Sequence, residues 1–477
     1  MSTIDLSQFY INGRWVAPSG RDTLDMINPA TEETVAVLAM GDASDVDAAV
    51  AAAKAARPAF AATTKLERRA LLERILEVYS RRIDEMAQAI SIEMGSPISF
   101  AREQQAQVGV DILTAMVADL EAFAFEHTLL NGDLIVMEPV GVCGLITPWN
   151  WPVNQMMLKI APCLAAGCTM VLKPSELTPL SANLLAEIMD EAGVPAGVFN
   201  LVHGAGPTVG SSMSRHPDIA MMSFTGSTRA GTSILKESAD TVKRVTLELG
   251  GKSPNLVFAD CDLERAIDEG IDACFINSGQ SCDAATRMLV ERPVYDRAVE
   301  LAAVKCARVK IGDPSQPGDH LGPLVSQMQY DRVQKMIQVG LDENTRLVCG
   351  GLGKPEGFET GYYAKPTVFA DVSNDMRIAQ EEIFGPVLVM IPFDDEEDGI
   401  RLANDTPYGL GAYVQSGDPA RALRVAKALQ SGTVNVNGAY LAAGSPFGGY
   451  KSSGNGREGG AEGMRDFLEV KAIALPE

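Results

Sequence analysis

The spacing of hydrophobic positions changes along the chain and divides it into regions. Between residues 44 and 125, apolar side chains recur at helical intervals with charged ones between them, which predicts helices. In residues 129–136, the pair Asn131-Gly132 separates two apolar runs, a pattern typical of a β-hairpin. Exposed strand edges in native proteins are usually covered or paired, so this hairpin is a candidate for contact with another subunit.

From Val140 onward, short apolar runs alternate with amphipathic stretches, which predicts βαβ units and a mostly parallel, doubly wound sheet. The first series has strand candidates at 142–146, 169–173, 198–202, 221–225 and 245–249, and helix candidates at 153–165, 178–192, 207–214 and 228–239. A second series has strand candidates at 255–258, 288–291, 346–348, 387–393, 411–414 and 433–436. The Gly-rich segment 444–460 predicts a loop that closes over a site.

Composition narrows the class of protein. A chain of 477 residues with 46% hydrophobic and 21% charged residues has enough apolar material for a large core, which excludes a disordered or fibrous protein. The net charge of −22 disfavours nucleic acid and anionic membranes as partners. The uncharged stretch 139–158 contains prolines and amides, so it predicts buried core and not a membrane span.

Histidines and cysteines give no sign of a metal site. There are four His without an HExxH or HxH pair, and eight Cys without a CxxC pair, so we predict none. So few cysteines in a long chain favour a reducing compartment. Because the N-terminus also lacks a basic region followed by an apolar one, we predict no signal peptide and a cytoplasmic protein.

Two segments carry candidate reactive groups. Cys282 follows the turn Gly279-Gln280-Ser281 after a helix-like stretch, which places it for exposure in a cleft, whereas most cysteines are buried and structural. Glu248 ends an apolar strand and precedes two glycines that let the backbone approach a ligand. A carboxylate there is either a solvated surface group or a general base.

Three further segments suggest ligand contacts. Asn150 lies between two Pro-Trp pairs, either as a turn residue or as an amide donor to an oxyanion. The glycine-spaced turn 224–231 joins a strand to a helix and suits a phosphate at the helix N-terminus. Lys173 and Glu176 follow another strand of the same predicted sheet, where a carboxylate can bind ribose hydroxyls.

Together these segments resemble the NAD(P)-dependent aldehyde dehydrogenase superfamily over nearly the whole chain. Further matching segments are 9–13, 28–31, 381–386, 446–449 and 453–458, and the 34-residue spacing from Glu248 to Cys282 also fits. The resemblance implies an α/β fold with a Rossmann-type NAD-binding domain, an α/β catalytic domain and a small β oligomerisation element. It places the first in residues 1–120 and 140–249, the second in 250–445, and the third in 121–139 and 460–477.

The resemblance also implies roles for single residues. Cys282 is the expected nucleophile, Asn150 the oxyanion donor, and Glu248 the base that activates the hydrolytic water. The expected contacts of the dinucleotide are Lys173, Glu176, Gly226, Ser227, Leu249, Glu382 and Phe384. Because Glu176 would repel a 2′-phosphate, NAD is the expected cofactor, with NADP left open.

The same comparison predicts a substrate tunnel lined by Gln155, Leu158, Ile276, Ser281, Asp283 and the loop 438–444. Leu158 and Ile276 suggest apolar walls. Relatives acting on short carboxylated semialdehydes often have an Arg at the position of Leu158, so a carboxylate close to the aldehyde is disfavoured. Asp283, if it faces inward, would disfavour anionic substrates and raise the thiol pKa.

The expected reaction is therefore NAD-dependent oxidation of an aldehyde to a carboxylic acid through a cysteine thiohemiacetal and thioester. Two alternatives stay open. In a CoA-acylating semialdehyde dehydrogenase, CoA would resolve the thioester, but those relatives typically lack the Glu base. A non-catalytic structural relative would not need Cys282, Glu248 and Asn150. The resemblance also implies a homodimer or homotetramer.

Overall fold

A computed structural model describes residues 3–476. Met1 and Ser2, at the start of the predicted NAD-binding domain, and Glu477, at the end of the predicted oligomerisation element, lie outside the described residues. The described residues contain 21 strands in four sheets. None of their helices is long and apolar enough to cross a membrane.

The strands are β1 (Ile4–Leu6), β2 (Phe9–Ile11), β3 (Arg14–Val16), β4 (Thr23–Ile27), β5 (Thr34–Ala39), β6 (Glu126–Thr128), β7 (Leu134–Pro139), β8 (Val142–Ile146), β9 (Thr169–Lys173), β10 (Phe199–Leu201), β11 (Met221–Thr225), β12 (Arg244–Glu248), β13 (Pro254–Val257), β14 (Arg287–Glu291), β15 (Arg346–Cys349), β16 (Thr367–Ala370), β17 (Val387–Phe393), β18 (Gly411–Gln415), β19 (Thr433–Val436), β20 (Gly454–Asn455) and β21 (Leu468–Ile473).

The α-helices are α1 (Ala43–Ala61), α2 (Lys65–Arg81), α3 (Ile83–Met94), α4 (Ile98–Phe100), α5 (Gln107–Ala122), α6 (Pro152–Ala166), α7 (Pro179–Glu191), α8 (Ser211–Arg215), α9 (Thr228–Ser238), α10 (Leu263–Phe275), α11 (Tyr295–Cys306), α12 (Gln327–Asp342), α13 (Arg377–Gln380), α14 (Glu396–Asn404), α15 (Pro419–Ala428) and α16 (Gly460–Arg465). Two π-helical turns, Ala101–Ala106 and Gly206–Gly210, precede α5 and α8.

The first predicted series forms the centre of an eight-stranded sheet with the order β20-β12-β11-β8-β9-β10-β2-β3. The five strands from β12 to β10 run parallel, which confirms the predicted doubly wound arrangement. Neighbouring residues of the three central strands β8, β9 and β11 pack into two different core clusters, as Leu145 and Ile146 do on β8. Burial of both faces explains why these three strands are mostly apolar in sequence.

The second series forms a seven-stranded sheet with the order β15-β16-β17-β14-β13-β18-β19, parallel except at the edge strand β15. The sequence pattern missed β16 here. It also missed the five N-terminal strands, of which β1, β4 and β5 make a small sheet of their own. Three of those five strands have only three residues, too few to show a period.

The predicted hairpin exists, but its turn is longer than predicted. β6 pairs with β7 antiparallel, and residues 129–133 make a five-residue connection, so the first apolar run at Leu129 and Leu130 belongs to the loop. The C-terminal strand β21 adds to the other edge of β7. The predicted loop 444–460 contains the short strand β20, which closes the edge of the first sheet beside β12.

Two cysteines form a disulfide, and three others lie close together in the core. Cys306 and Cys349 form a disulfide between α11 and β15, which the interpretation of these residues as structural thiols did not anticipate. Cys143, Cys163 and Cys168 are buried with their sulfur atoms within 4.8 Å of one another, although no CxxC spacing joins them. Cys168 donates to the Phe467 carbonyl over 3.3 Å, so this thiol has a partner as it stands.

Candidate active site

A strained turn carries Cys282 to the cleft. After α10 ends, Asn277, Ser278 and Gly279 have successive left-handed φ angles of 53°, 57° and 73°. Two of these residues are not glycine, so the surrounding structure must hold the turn in place. A side chain at Gly279 would overlap the backbone of Gly385, so the turn packs directly on the segment 381–386. Cys282 follows three residues later and is partly exposed.

The side-chain amide of Asn150 is fixed against the nucleophile loop. Its Nδ2 donates to the Gln280 carbonyl over 3.1 Å, and the Nδ2 of Asn277 donates to the main-chain carbonyl of Asn150 over 2.8 Å. A carboxamide has two N–H donors, so one remains for a ligand beside Cys282. Asn150 is buried, which keeps competing water away from that donor.

Glu248, at the end of β12, is a buried carboxylate. Neither of its oxygens has a hydrogen-bond partner among residues 3–476. Its Oε1 lies against Gly448, where a Cβ would come within 2.7 Å, so only glycine fits there. Burial, together with the negative charge of Glu458, raises the pKa of Glu248 well above its ordinary value.

An ion pair that the sequence analysis missed lies beside Glu248. The fully buried Lys159 on α6 contacts Glu458 through its Nζ and donates to Thr225 Oγ1 over 2.8 Å. Thr225 is the register partner of Glu248 on the neighbouring strand β11. The available signal was a lysine directly after the long uncharged stretch 139–158, because such a position is buried and a buried ammonium needs a partner.

Acidic groups surround the Cys282 thiol. Burial raises its pKa well above the ordinary value, and Asp283, Glu382 and Glu248 add to the increase in that order. A higher pKa lowers the fraction of reactive thiolate at neutral pH. A cation that enters the cleft would oppose this effect, so the site is electrostatically suited to a positively charged ligand.

The residues predicted to bind the adenosine end follow two strands of the first sheet, β9 and β11, which have β8 between them. At the end of β9, Lys173 is buried with its Nζ 3.5 Å from a carboxylate oxygen of Glu176. Ser227 caps the N-terminus of α9 by accepting from the Ala230 amide, and Gly226 precedes it. A carboxylate for ribose and a helix N-terminus for phosphate are the donor set that a dinucleotide needs, so these residues fit that group.

The residues predicted at the nicotinamide end approach from both sheets. A carboxylate oxygen of Glu382 accepts a hydrogen bond from the backbone amide of Gly251 over 3.0 Å. Gly251 lies shortly after β12, the strand that ends at Glu248. Phe384 has a left-handed φ of 64° and makes an edge-to-face contact with Trp149 at 5.4 Å. Leu249 is buried and packs in the core beneath α9. Glu382 and Phe384 therefore belong to the segment 381–386, against which the Gly279 turn packs.

The structure does not place the predicted tunnel residues in one cavity. Ile276 lines a cavity of about 480 Å³, together with Tyr440 of the loop 438–444. Leu158 lines a small separate hollow that includes Gly444 from the other end of that loop. Gln155 is buried, and its Oε1 has no partner within residues 3–476.

Ser281 and Asp283 flank the nucleophile and are joined to each other. The Trp151 indole donates to Ser281 Oγ over 3.0 Å, and Ser281 Oγ donates to Asp283 Oδ1 over 3.0 Å. Asp283 is partly exposed, and the Tyr413 hydroxyl donates to its main-chain carbonyl over 3.2 Å. Burial raises the pKa of Asp283 despite the Ser281 hydrogen bond.

Comparisons with known proteins show the family of the chain. The sequence model of the Aldehyde dehydrogenase family matches residues 15–473. A 3-succinoylsemialdehyde-pyridine dehydrogenase of a Pseudomonas species is 50% identical over 470 residues, which is 98% of each chain. A crystal structure of an aldehyde dehydrogenase from Bartonella henselae has a TM-score of 0.97 at 50% identity and covers 99% of both chains.

A third relative was solved with ligands. A cysteine-to-alanine variant of aldehyde dehydrogenase C from Pseudomonas syringae, complexed with NAD+ and octanal, has a TM-score of 0.97 at 48% identity and covers 98% of this chain and 96% of that one. Members of the matched family use NAD(P) and oxidise aldehydes to acids by means of a catalytic cysteine. On its fold, its cleft and these relatives, the chain belongs to the aldehyde dehydrogenase family.

Proposed function

We propose that this protein oxidises an aldehyde to a carboxylic acid with NAD+ as the hydride acceptor and Cys282 as the nucleophile. The observation that carries the proposal is the grouping around one cleft of a partly exposed cysteine, an amide held at its loop and a buried carboxylate. These are the groups that thioester chemistry followed by hydrolysis requires.

In the first half of the reaction, the Cys282 thiolate attacks the aldehyde carbon and forms a thiohemiacetal. The negative charge that develops on the former carbonyl oxygen is stabilised by the free N–H of Asn150 and by the backbone amide of Cys282. A bound nicotinamide ring would supply the hydride acceptor for this step. Lys173, Glu176, Gly226 and Ser227 would hold the adenosine and phosphate end, and Leu249, Glu382 and Phe384 the nicotinamide end.

In the second half, Glu248 takes a proton from the water that attacks the thioester. Because burial raises its pKa, the carboxylate binds that proton more strongly than a solvated one would. The buried pair of Lys159 and Glu458 lies near Glu248 and acts on it electrostatically, since Glu458 raises the pKa of Glu248 and Lys159 lowers it. The hydrolysis releases the carboxylic acid and the free thiol.

The sheets suggest which residues serve NAD binding, catalysis and oligomerisation. We assign NAD binding to residues 1–120 and 140–249, catalysis to 250–445, and oligomerisation to 121–139 and 460–477. The last assignment rests on the three-stranded sheet β21-β7-β6, which leaves outer edges open for a partner in a homodimer or homotetramer. We also propose the cytoplasm as the compartment, although the Cys306–Cys349 disulfide is unusual there.

A direct test combines the purified protein with NAD+ and a panel of aldehydes that includes octanal and the semialdehyde oxidised by the Pseudomonas relative. We expect NADH to form, and Cys282→Ala to abolish it while NAD+ still binds. The variant Cys261→Ala, at a half-exposed cysteine outside the cleft, is the matched control and should keep the activity. Unchanged turnover in Cys282→Ala would contradict the assignment.

A further inference from the structure

Asp283 directly follows Cys282, and its carboxylate is close enough to the thiol to raise the pKa of Cys282, yet it has no counter-ion in the described part of the chain. No lysine, arginine or histidine pairs with it among residues 3–476. Its Oδ1 accepts from Ser281, whereas its Oδ2 has no hydrogen-bond partner in the same part of the chain. Because Asp283 is only partly exposed, a carboxylate without a cation next to the nucleophile is a feature that a ligand can complete.

Other acids near the cleft do not share this property. Asp268 and Asp272 line the 480 Å³ cavity, and Lys305 contacts both of them at 3.2 and 3.1 Å. Lys305 therefore gives both acids a cationic partner within the protein and offsets one of their two charges. Asp283 differs because its neighbours are aromatic and neutral.

Those neighbours are suited to a cation. The indole of Trp151 reaches Asp283 through Ser281, and the hydroxyl of Tyr413 donates to its main-chain carbonyl. Tyr440 is 73% exposed and lines the adjoining cavity. Aromatic faces attract ammonium groups, and they do not compete for the carboxylate as a lysine would.

We propose that Asp283 binds the positively charged group of the substrate, so that the preferred substrates are short aldehydes carrying an ammonium group. This inference rests on the proposed function and names the substrate class for the same site. The substrate's cation would be the missing counter-ion of Asp283.

The position of Asp283 also favours a short substrate. Its charge acts on the Cys282 thiol directly, so a cation that pairs with Asp283 lies near the carbon that the sulfur attacks.

The experiment compares substrates that differ only in charge. 3-Aminopropanal and butanal have nearly the same shape, because the ammonium group of one replaces the methyl group of the other. Succinate semialdehyde supplies the opposite charge. We expect kcat/KM to be roughly 10- to 100-fold higher for 3-aminopropanal than for butanal, as for a hydrogen bond to a charged group, and lowest for succinate semialdehyde.

Two variants locate the effect. Asp283→Asn keeps the shape and removes the charge, so the ratio of kcat/KM for 3-aminopropanal to that for butanal should fall toward one, mainly through KM for the cation. Asp272→Asn is the matched control, and its ratio should stay at the wild-type value because Lys305 already pairs with that acid.

The outcomes separate this inference from the proposed function. Oxidation of butanal without any preference for 3-aminopropanal overturns the inference and leaves the reaction class intact. A ratio that persists in Asp283→Asn overturns it as well. If octanal yields NADH and 3-aminopropanal does not, the inference is overturned, whereas a failure of every aldehyde in the panel overturns the proposed function. Should Asp283→Asn not fold, the wild-type order of the three substrates still decides.

Discussion

At the scale of single residues, the proposed role of Glu248 as the hydrolytic base makes it necessary for only one half of the reaction. Hydride transfer needs the thiolate and the oxyanion donors, while breaking the thioester needs a water activated by a base. General-base assistance is worth about 10²–10⁴ in rate. We therefore expect Glu248→Gln to slow steady-state turnover by roughly that factor, because it retains the shape of the side chain and removes its basicity.

The measurement is a rapid-mixing record of NADH absorbance. A burst near one NADH per active site followed by a slow phase is expected if only deacylation is impaired. If burst and steady state fall together, Glu248 acts earlier, on the Cys282 proton. CoA that restores fast turnover in the wild-type protein would favour the acylating alternative.

We expect Glu176 to govern the choice between NAD and NADP. Its carboxylate lies beside Lys173 at the end of β9, where it can accept ribose hydroxyls and repel a 2′-phosphate of about −1.5 to −2 charge. We expect kcat/KM to be higher with NAD than with NADP, and Glu176→Gln to narrow the difference. Preference for NADP in the wild-type protein would contradict this role.

The residue scale also shows where sequence reasoning ends. Cys282, Asn150 and Glu248 stand in recognisable local patterns, so their positions could be anticipated. The Lys159–Glu458 pair joins residues 299 positions apart, and such a contact leaves no local pattern. The orientation of Asp283 was open for the same reason, because it depends on Trp151 and Tyr413 from distant parts of the chain.

At the scale of elements, the buried pair ties α6 to the C-terminal segment. Removing one partner of a buried ion pair leaves an unpaired charge and typically costs about 3–5 kcal/mol. We expect Lys159→Met to lower the free energy of unfolding by that amount, measured by urea unfolding with tryptophan fluorescence. Trp149 and Trp151 immediately precede α6 and report on this region.

The double variant Lys159→Met/Glu458→Gln is the control, since it removes both charges. It should be more stable than Lys159→Met alone. A loss below about 1 kcal/mol in the single variant, the range of exposed ion pairs, would show that the contact does not stabilise the fold.

Elements could be predicted where their pattern was long enough. The parallel strands of both sheets are mostly apolar and are bounded by helices with a clear period, so most were found within a few residues. The short N-terminal strands and β20 depend on partners elsewhere in the chain for their hydrogen bonds. The hairpin turn was misjudged because Asn131-Gly132 lies inside a wider loop.

At the scale of the whole molecule, residues 469–472 of β21 are exposed to solvent in the single chain. Val470 is 67% exposed on this strand. If the small sheet is the oligomer contact, Val470→Lys should dissociate the assembly into monomers without unfolding them, as measured by light scattering. Deleting residues 466–477 should go further and give insoluble or monomeric protein, because it also uncovers β7.

The control is Val304→Lys on α11, where an exposed valine lies outside the small sheet. This variant should keep the size of the wild-type assembly. A wild-type protein that is a stable, fully active monomer would contradict the proposed oligomer.

The pairing of β7 with β21 also determines when the protein can finish folding during its synthesis. Pro139 and Leu468 are register partners 329 positions apart, since 468 − 139 = 329. At about 5–20 residues per second, a ribosome needs roughly 16 to 66 s to cover that distance. Throughout that interval one edge of β7 has no partner. Lys159 likewise has no partner until Glu458 is synthesised. The nascent chain is therefore exposed to aggregation until its last residues emerge.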